Sequence, residues 1–129
     1  MASDAQWYVF VEANSDHPSE TTWELQEKHH VEGDRAAALS RAEEICRTWS
    51  PGYWELEDSG RRVFRASETG WFVEVTRERW DKERDRALTT SKFLRVTVAE
   101  LVYAKEAPPA QPPEKKDGIM RRAFGSGRQ

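Results

Sequence analysis

Along the chain the spacing of apolar side chains switches between a period of two and a period of three to four, and those switches mark out the elements. Trp7-Tyr8-Val9-Phe10-Val11 is aromatic or β-branched at every position. Such a run predicts a buried strand. Asn14 to Ser19 is a cluster of turn formers. From Thr21 to Val31 the pattern alternates, with Trp23, Leu25, His29 and Val31 on one side and Glu24, Gln26, Lys28 and His30 on the other. Period-two spacing predicts a strand with one wet face, and Glu27, which interrupts the apolar side, marks a bulge.

A helix follows from Asp34 to Trp49. Ala38, Leu39, Ala42, Ile45, Cys46 and Trp49 recur at steps of three and four and form a single apolar stripe. Asp34 is placed to cap the first turn, whose N–H groups have no partner within the helix. Ser50-Pro51-Gly52 ends it, because proline can neither donate to the next turn nor fit within it.

Three further strands are predicted. Arg61 to Ala66 and Trp71 to Thr76 flank the turn Ser67-Glu68-Thr69-Gly70, which is a hairpin signal. Phe93 to Tyr103 places Leu94, Val96, Val98 and Val102 on one face and Arg95, Thr97 and Ala99 on the other. Residues 78–91 carry mostly charged side chains, with Trp80, Ala87 and Leu88 as their only apolar groups. Burial of so few groups offers little to offset ordering entropy, so a mobile charged loop is expected there. The order β-β-α-β-β-β, with hairpins rather than helical crossovers, predicts antiparallel pairing. The fold class is therefore α+β, a two-layer open antiparallel sheet covered on one face by a single helix.

Composition adds a boundary. Residues 6–106 hold all six tryptophans and form a single α+β domain, whereas 107–113 contain four prolines in an extended linker. Beyond it, residues 114–129 are expected to be a disordered basic tail. Lys115, Lys116, Arg121, Arg122 and Arg128 against Glu114 and Asp117 give that tail +3, which leaves −6 on residues 1–113 out of a total of −3. An acidic body argues against a uniformly basic nucleic-acid binder. A mean hydropathy of −0.88, the lack of an apolar run long enough to cross a bilayer, and an N-terminus without signal-peptide character predict a cytoplasmic protein with no membrane role. The lone Cys46 excludes an internal disulfide.

The segments His30-Val31-Glu32-Gly33-Asp34-Arg35-Ala36-Ala37-Ala38, Arg62-Val63-Phe64-Arg65, Gly70-Trp71-Phe72-Val73 and Arg95-Val96-Thr97-Val98-Ala99-Glu100-Leu101 resemble a group of small proteins common in filamentous actinobacteria. The likeness spans most of residues 22–103 and is carried by strand and helix patterns, not by a catalytic signature. It implies the same α+β fold and brings no activity, cofactor or site residue with it, since none is established for the group.

Candidate chemistry is sparse. Adjacent strand residues point to opposite faces, so His29 and His30 are not expected to hold one metal ion. Cys46 lies on the apolar stripe near the helix C-terminus, where the dipole disfavours a thiolate. The chain has no glycine-rich phosphate loop, GxSxG or HExxH motif, so neither a catalytic residue nor a cofactor is assigned. Trp54 and Trp80 occupy polar, loop-like surroundings, and an exposed tryptophan is a common interface anchor. The bland alternative is that both fold back as lids over the core. In the tail, Arg121, Arg122 and Phe124 have the layout of a short docking peptide beyond a stiff spacer.

These features favour a non-catalytic interaction module that binds a partner protein or forms a homodimer through Trp54, Trp80, Arg121, Arg122 and Phe124. The rival reading is nucleic-acid binding through Arg61, Arg62 and Arg65, beside Trp71 and Phe72, together with the basic tail. A third is a small-molecule or enzymatic domain with a cavity between helix and sheet.

Overall fold

A computed structural model describes residues 5–15, 22–52 and 54–113. The elements run β1 (Gln6–Asn14), β2 (Trp23–Val31), α1 (Arg35–Thr48), a 3₁₀ turn (Leu56–Asp58), β3 (Ser59–Ser67), β4 (Gly70–Asp81) and β5 (Arg86–Leu101). The five strands form one antiparallel sheet in the order β2-β1-β5-β4-β3. Both edges are thereby fixed: β2 and β3 lie outermost, while β5, the last strand, is central.

Side-chain parity decides what each face becomes. Val9, Val11 and Ala13 of β1, Trp71, Val73 and Val75 of β4, and Leu94, Val96 and Val98 of β5 share one face and are buried. Against them sit Ala38, Ala42, Ile45 and Cys46 of α1, with Trp7, Val31, Leu39 and Trp49 at the margin. Two alanines at the contact let the helix backbone approach the strands closely, which suits a face of short β-branched side chains. Aliphatic burial on this scale is the main source of stability. The helix is entered through Gly33, whose φ of +114° is a left-handed conformation that favours glycine, and Asp34 Oδ1 accepts the N–H of Ala37 at 3.0 Å. The expected stripe, cap and single covering layer are all present.

Two expectations are corrected. The bulge in β2 falls beside the anticipated Glu27: Val11 pairs with Glu27 and Glu12 with Leu25, so Gln26 is the extra residue. One inserted residue reverses parity. Glu27, His29 and Val31 stay on the helix side, whereas Trp23 and Leu25 turn to the opposite face instead of sharing a side with them.

The charged segment 78–91 is not a loop. β4 and β5 continue through it as a paired ladder from Glu78↔Thr89 to Asp81↔Arg86. Asp81 Oδ1 accepts the N–H groups of Glu83 and Arg84 at 3.0 and 3.4 Å, and Asp85 takes the left-handed conformation at φ 53°. The segment needs little burial because the strands leave the body already in register, and each further pair adds main-chain hydrogen bonds at low additional entropy cost. No helix among the described residues is long and apolar enough to cross a membrane.

Candidate functional site: the uncovered sheet face

The face opposite α1 has no covering layer among the described residues, and its side chains are largely aromatic where those of the covered face, Trp71 apart, are aliphatic. Tyr8 and Phe10 of β1 alternate with Val9 and Val11. Phe72 of β4 alternates with Trp71 and Val73, Phe93 precedes Leu94, and Phe64 of β3 lies opposite Phe72. The bulge adds Trp23 and Leu25 from β2. The rings contact one another: Trp23 meets Phe72 edge-on at 6.2 Å, Phe72 stacks on Phe93 at 5.5 Å, and Tyr8 stacks on Phe10 at 6.3 Å. Ring pairs in these geometries are mutually attractive beyond their area, so the aromatic layer holds its shape although it is only half-buried.

Charges on this face neutralise each other locally. The Arg95 guanidinium lies 4.2 Å from the centre of the Trp23 ring and bonds Glu12 at 3.4 Å. Arg62 bonds Glu74 at 3.2 Å across the β3–β4 pair. Lys28 stands 5.9 Å over Tyr8. Near the start of β1 an open groove of about 550 Å³ is lined by Tyr8, Phe10, Lys28, Leu101 and Tyr103. At the outer margins Leu25 and Phe64 are 57% and 50% exposed.

The sequence-predicted site residues scatter. Trp54 is buried at 6% exposure in the core, with Arg77 5.2 Å over its ring, so it is a lid and not an interface anchor. The reason is local. The chain turns at Pro51, where Trp54 N donates to Pro51 O at 2.9 Å, and this folds the ring back beyond the end of α1. Trp80 is 58% exposed on the projecting β4–β5 hairpin. Arg121, Arg122 and Phe124 lie outside the described residues.

Arg61, Arg62 and Arg65 are not one basic surface. Arg61 reaches the helix side, donating to Cys46 O at 2.9 Å and Ser50 Oγ at 3.0 Å, which ties the C-terminal turn of α1 to β3. Arg62 is on the opposite face with Glu74. Arg65 lies 4.8 Å over Trp71 and donates to the carbonyls of Ser67 and Glu68 at 2.7 Å, bracing the β3–β4 turn. Each guanidinium has an internal partner, and β3 divides them between its two faces, with Arg61 and Arg65 on the helix side and Arg62 on the other.

Metal and nucleophile candidates resolve likewise. His29 Nε2 is 2.6 Å from Glu27 Oε1 on the helix side, while His30 Nε2 is 2.7 Å from Gln6 Oε1 on the other. No cluster of three or more His, Cys, Asp or Glu side chains suited to a metal ion occurs among the described residues. Burial pushes the Cys46 thiol up to about 12, only partly countered by the Arg61 charge. A thiol in that range stays protonated and non-nucleophilic at neutral pH.

Of the residues on this face, Arg62 and its neighbour Phe72 were anticipated only under the nucleic-acid reading; Tyr8, Phe10, Trp23, Leu25, Phe93 and Arg95 were not anticipated as contacts. A signal for them existed in β1, where Tyr8 and Phe10 take one set of alternate positions and Val9 and Val11 the other. No protein-family model, curated protein or solved structure matches the chain.

Proposed function

We propose that this protein is a non-catalytic interaction module whose uncovered sheet face binds an apolar segment of a partner protein. The observation that carries the reading is the layer Trp23–Phe72–Phe93, continued to the margins by Leu25 and Phe64, on a face whose charges are already paired. Aromatic rings held by their neighbours lose little entropy on contact, which makes them effective anchors. Local charge balance favours a protein surface over a polyanion: Glu12 and Glu74 oppose phosphate where Arg95 and Arg62 would meet it. The dispersal of Arg61, Arg62 and Arg65 weighs against the nucleic-acid reading in the same way.

A quantitative capture experiment tests this. Wild-type protein, Leu25→Glu on the uncovered face and Ser40→Glu on the exposed side of α1 are compared as baits in lysate of the source cells. A partner retained by wild type and Ser40→Glu but lost from Leu25→Glu supports the reading. Equal retention on all three, or recovery of nucleic acid that salt removes, contradicts it.

A further inference from the structure

The groove beside Tyr8 has one wall made by the chain's own exit from the sheet. β5 ends at Leu101, and Val102 to Glu106 continue without strand or helix. Tyr8, Phe10 and Lys28 line one side of the groove, and Leu101, Tyr103 and Glu106 line the other. Val102 and Tyr103 are 85% and 78% exposed, so large apolar side chains stand open at this rim. Directly beyond it comes Ala107-Pro108-Pro109-Ala110-Gln111-Pro112-Pro113, exposed along its whole length.

We infer that this proline segment is a strap that closes over the Tyr8–Phe10–Tyr103 groove of its own chain, covering that end of the aromatic face against a partner. Its competition with a partner rests on the function proposed above; the closure itself does not. Hydrogen bonding selects the occupant. β1 and β5 are interior strands, so their main-chain groups are already committed to neighbouring strands. An ordinary segment laid on this face buries N–H groups with no main-chain acceptor beneath them, which is costly. Four of the strap's seven residues have no N–H to bury. Their carbonyls can accept from Lys28 and from the hydroxyls of Tyr8 and Tyr103. Aromatic grooves hold polyproline helices in this manner, and the helix is preformed, so little entropy is lost on docking.

Reach and tethering fit as well. At about 3.1 Å per residue the strap spans about 22 Å. Phe10 and Phe72 stand on strands separated only by β5, about 10 Å apart. Ala107 precedes a proline and is confined to extended backbone, so the reversal falls within Ala104–Glu106. The short tether from Leu101 holds the strap at an effective concentration in the roughly millimolar range, enough for a weak contact to close within one chain.

A nitroxide spin label on Ala110→Cys in the full chain tests the closure by NMR; Cys46 is buried and takes no label. The start of α1 supplies the reference, because Gly33 and Asp34 lie beside Trp7 and Val31 at the same end of the sheet. Amide relaxation at Phe10 and Ala99 is expected to be enhanced at least about threefold more than at Gly33 and Asp34, whereas a freely sampling spacer gives a ratio of about one or less. Pro108→Ser, Pro109→Ser, Pro112→Ser and Pro113→Ser together restore four N–H groups and are expected to abolish the excess. A ratio near one with the prolines in place would overturn the inference, as would an excess that survives the four serines. An excess that vanishes on dilution, and appears between labelled and separate isotope-enriched chains, would overturn it by placing the strap on a second copy. These spectra need no partner, so they are read independently of the Leu25→Glu capture. In that capture the four-serine chain is expected to retain more partner than wild type; equal retention would contradict the competition.

Discussion

The two faces of one sheet are built from the same strands and do opposite work. Under α1 the side chains are mostly short and branched, with Trp71 among them, are buried nearly to completion and are matched by helix alanines. On the other side they are aromatic, half-buried, and interleaved with ion pairs that cancel locally. Aliphatic packing makes the fold, and the aromatic layer needs only enough internal contact to stay ordered. Equal changes on the two faces should therefore separate, with stability responding on one and binding on the other.

The largest separation is kinetic and concerns Cys46. Its thiol is raised from an ordinary 9.0 to about 12 by burial. The protonated form is the one the fold favours, so that contribution is complete below about pH 9 and is lost as pH rises toward 12. At pH 8 the native thiol should react with a disulfide reagent about a thousandfold more slowly than the urea-unfolded chain, from the thiolate fraction alone. Comparable rates would mean that the helix does not seal its face.

Next comes Leu94→Ala, which removes a fully buried side chain from the centre of the covered face. Urea unfolding should show a loss of about 2–5 kcal/mol, whereas Leu25→Ala on the open face should stay within about 0.5 kcal/mol. Smaller is the contrast between neighbouring arginines. Arg61→Ala, which frees the C-terminal turn of α1, should cost about 1–2 kcal/mol. Arg62→Ala, losing one surface ion pair, should cost less than about 1 kcal/mol. Smallest is Asp34→Ala at the helix cap, about 1 kcal/mol or somewhat less, detectable as a lowered unfolding midpoint.

Much of this architecture was legible in the residue pattern, because the helix stripe, Asp34, Pro51 and the Ser67–Gly70 turn each carry their own local chemistry. The covered face was legible too, since Leu94, Val96 and Val98 alternate with Arg95, Thr97 and the small Ala99. The aromatic face was not. Tyr8 and Phe10 beside Val9 and Val11 make a continuous apolar run, which indicates a strand but not which of its sides is covered. Trp23 and Leu25 depended on whether one residue of β2 was bulged, and a single insertion reverses every side chain before it. Residues 78–91 misled for a different reason: their composition lacks burial, but the pairing that orders them starts in Phe93 and Phe72, outside the segment. Trp54 was ambiguous because polar neighbours describe its surroundings in sequence, not the turn at Pro51 that returns it to the core.

Photocross-linking from the two faces tests the central claim most directly. A benzophenone side chain introduced at Leu25 is expected to form an adduct with the partner protein in the source cells, and the same group at Ser40, on the outer side of α1, is expected to form none. An adduct from Ser40 with none from Leu25 would place the binding surface on the helix and contradict the assignment of function to the aromatic face.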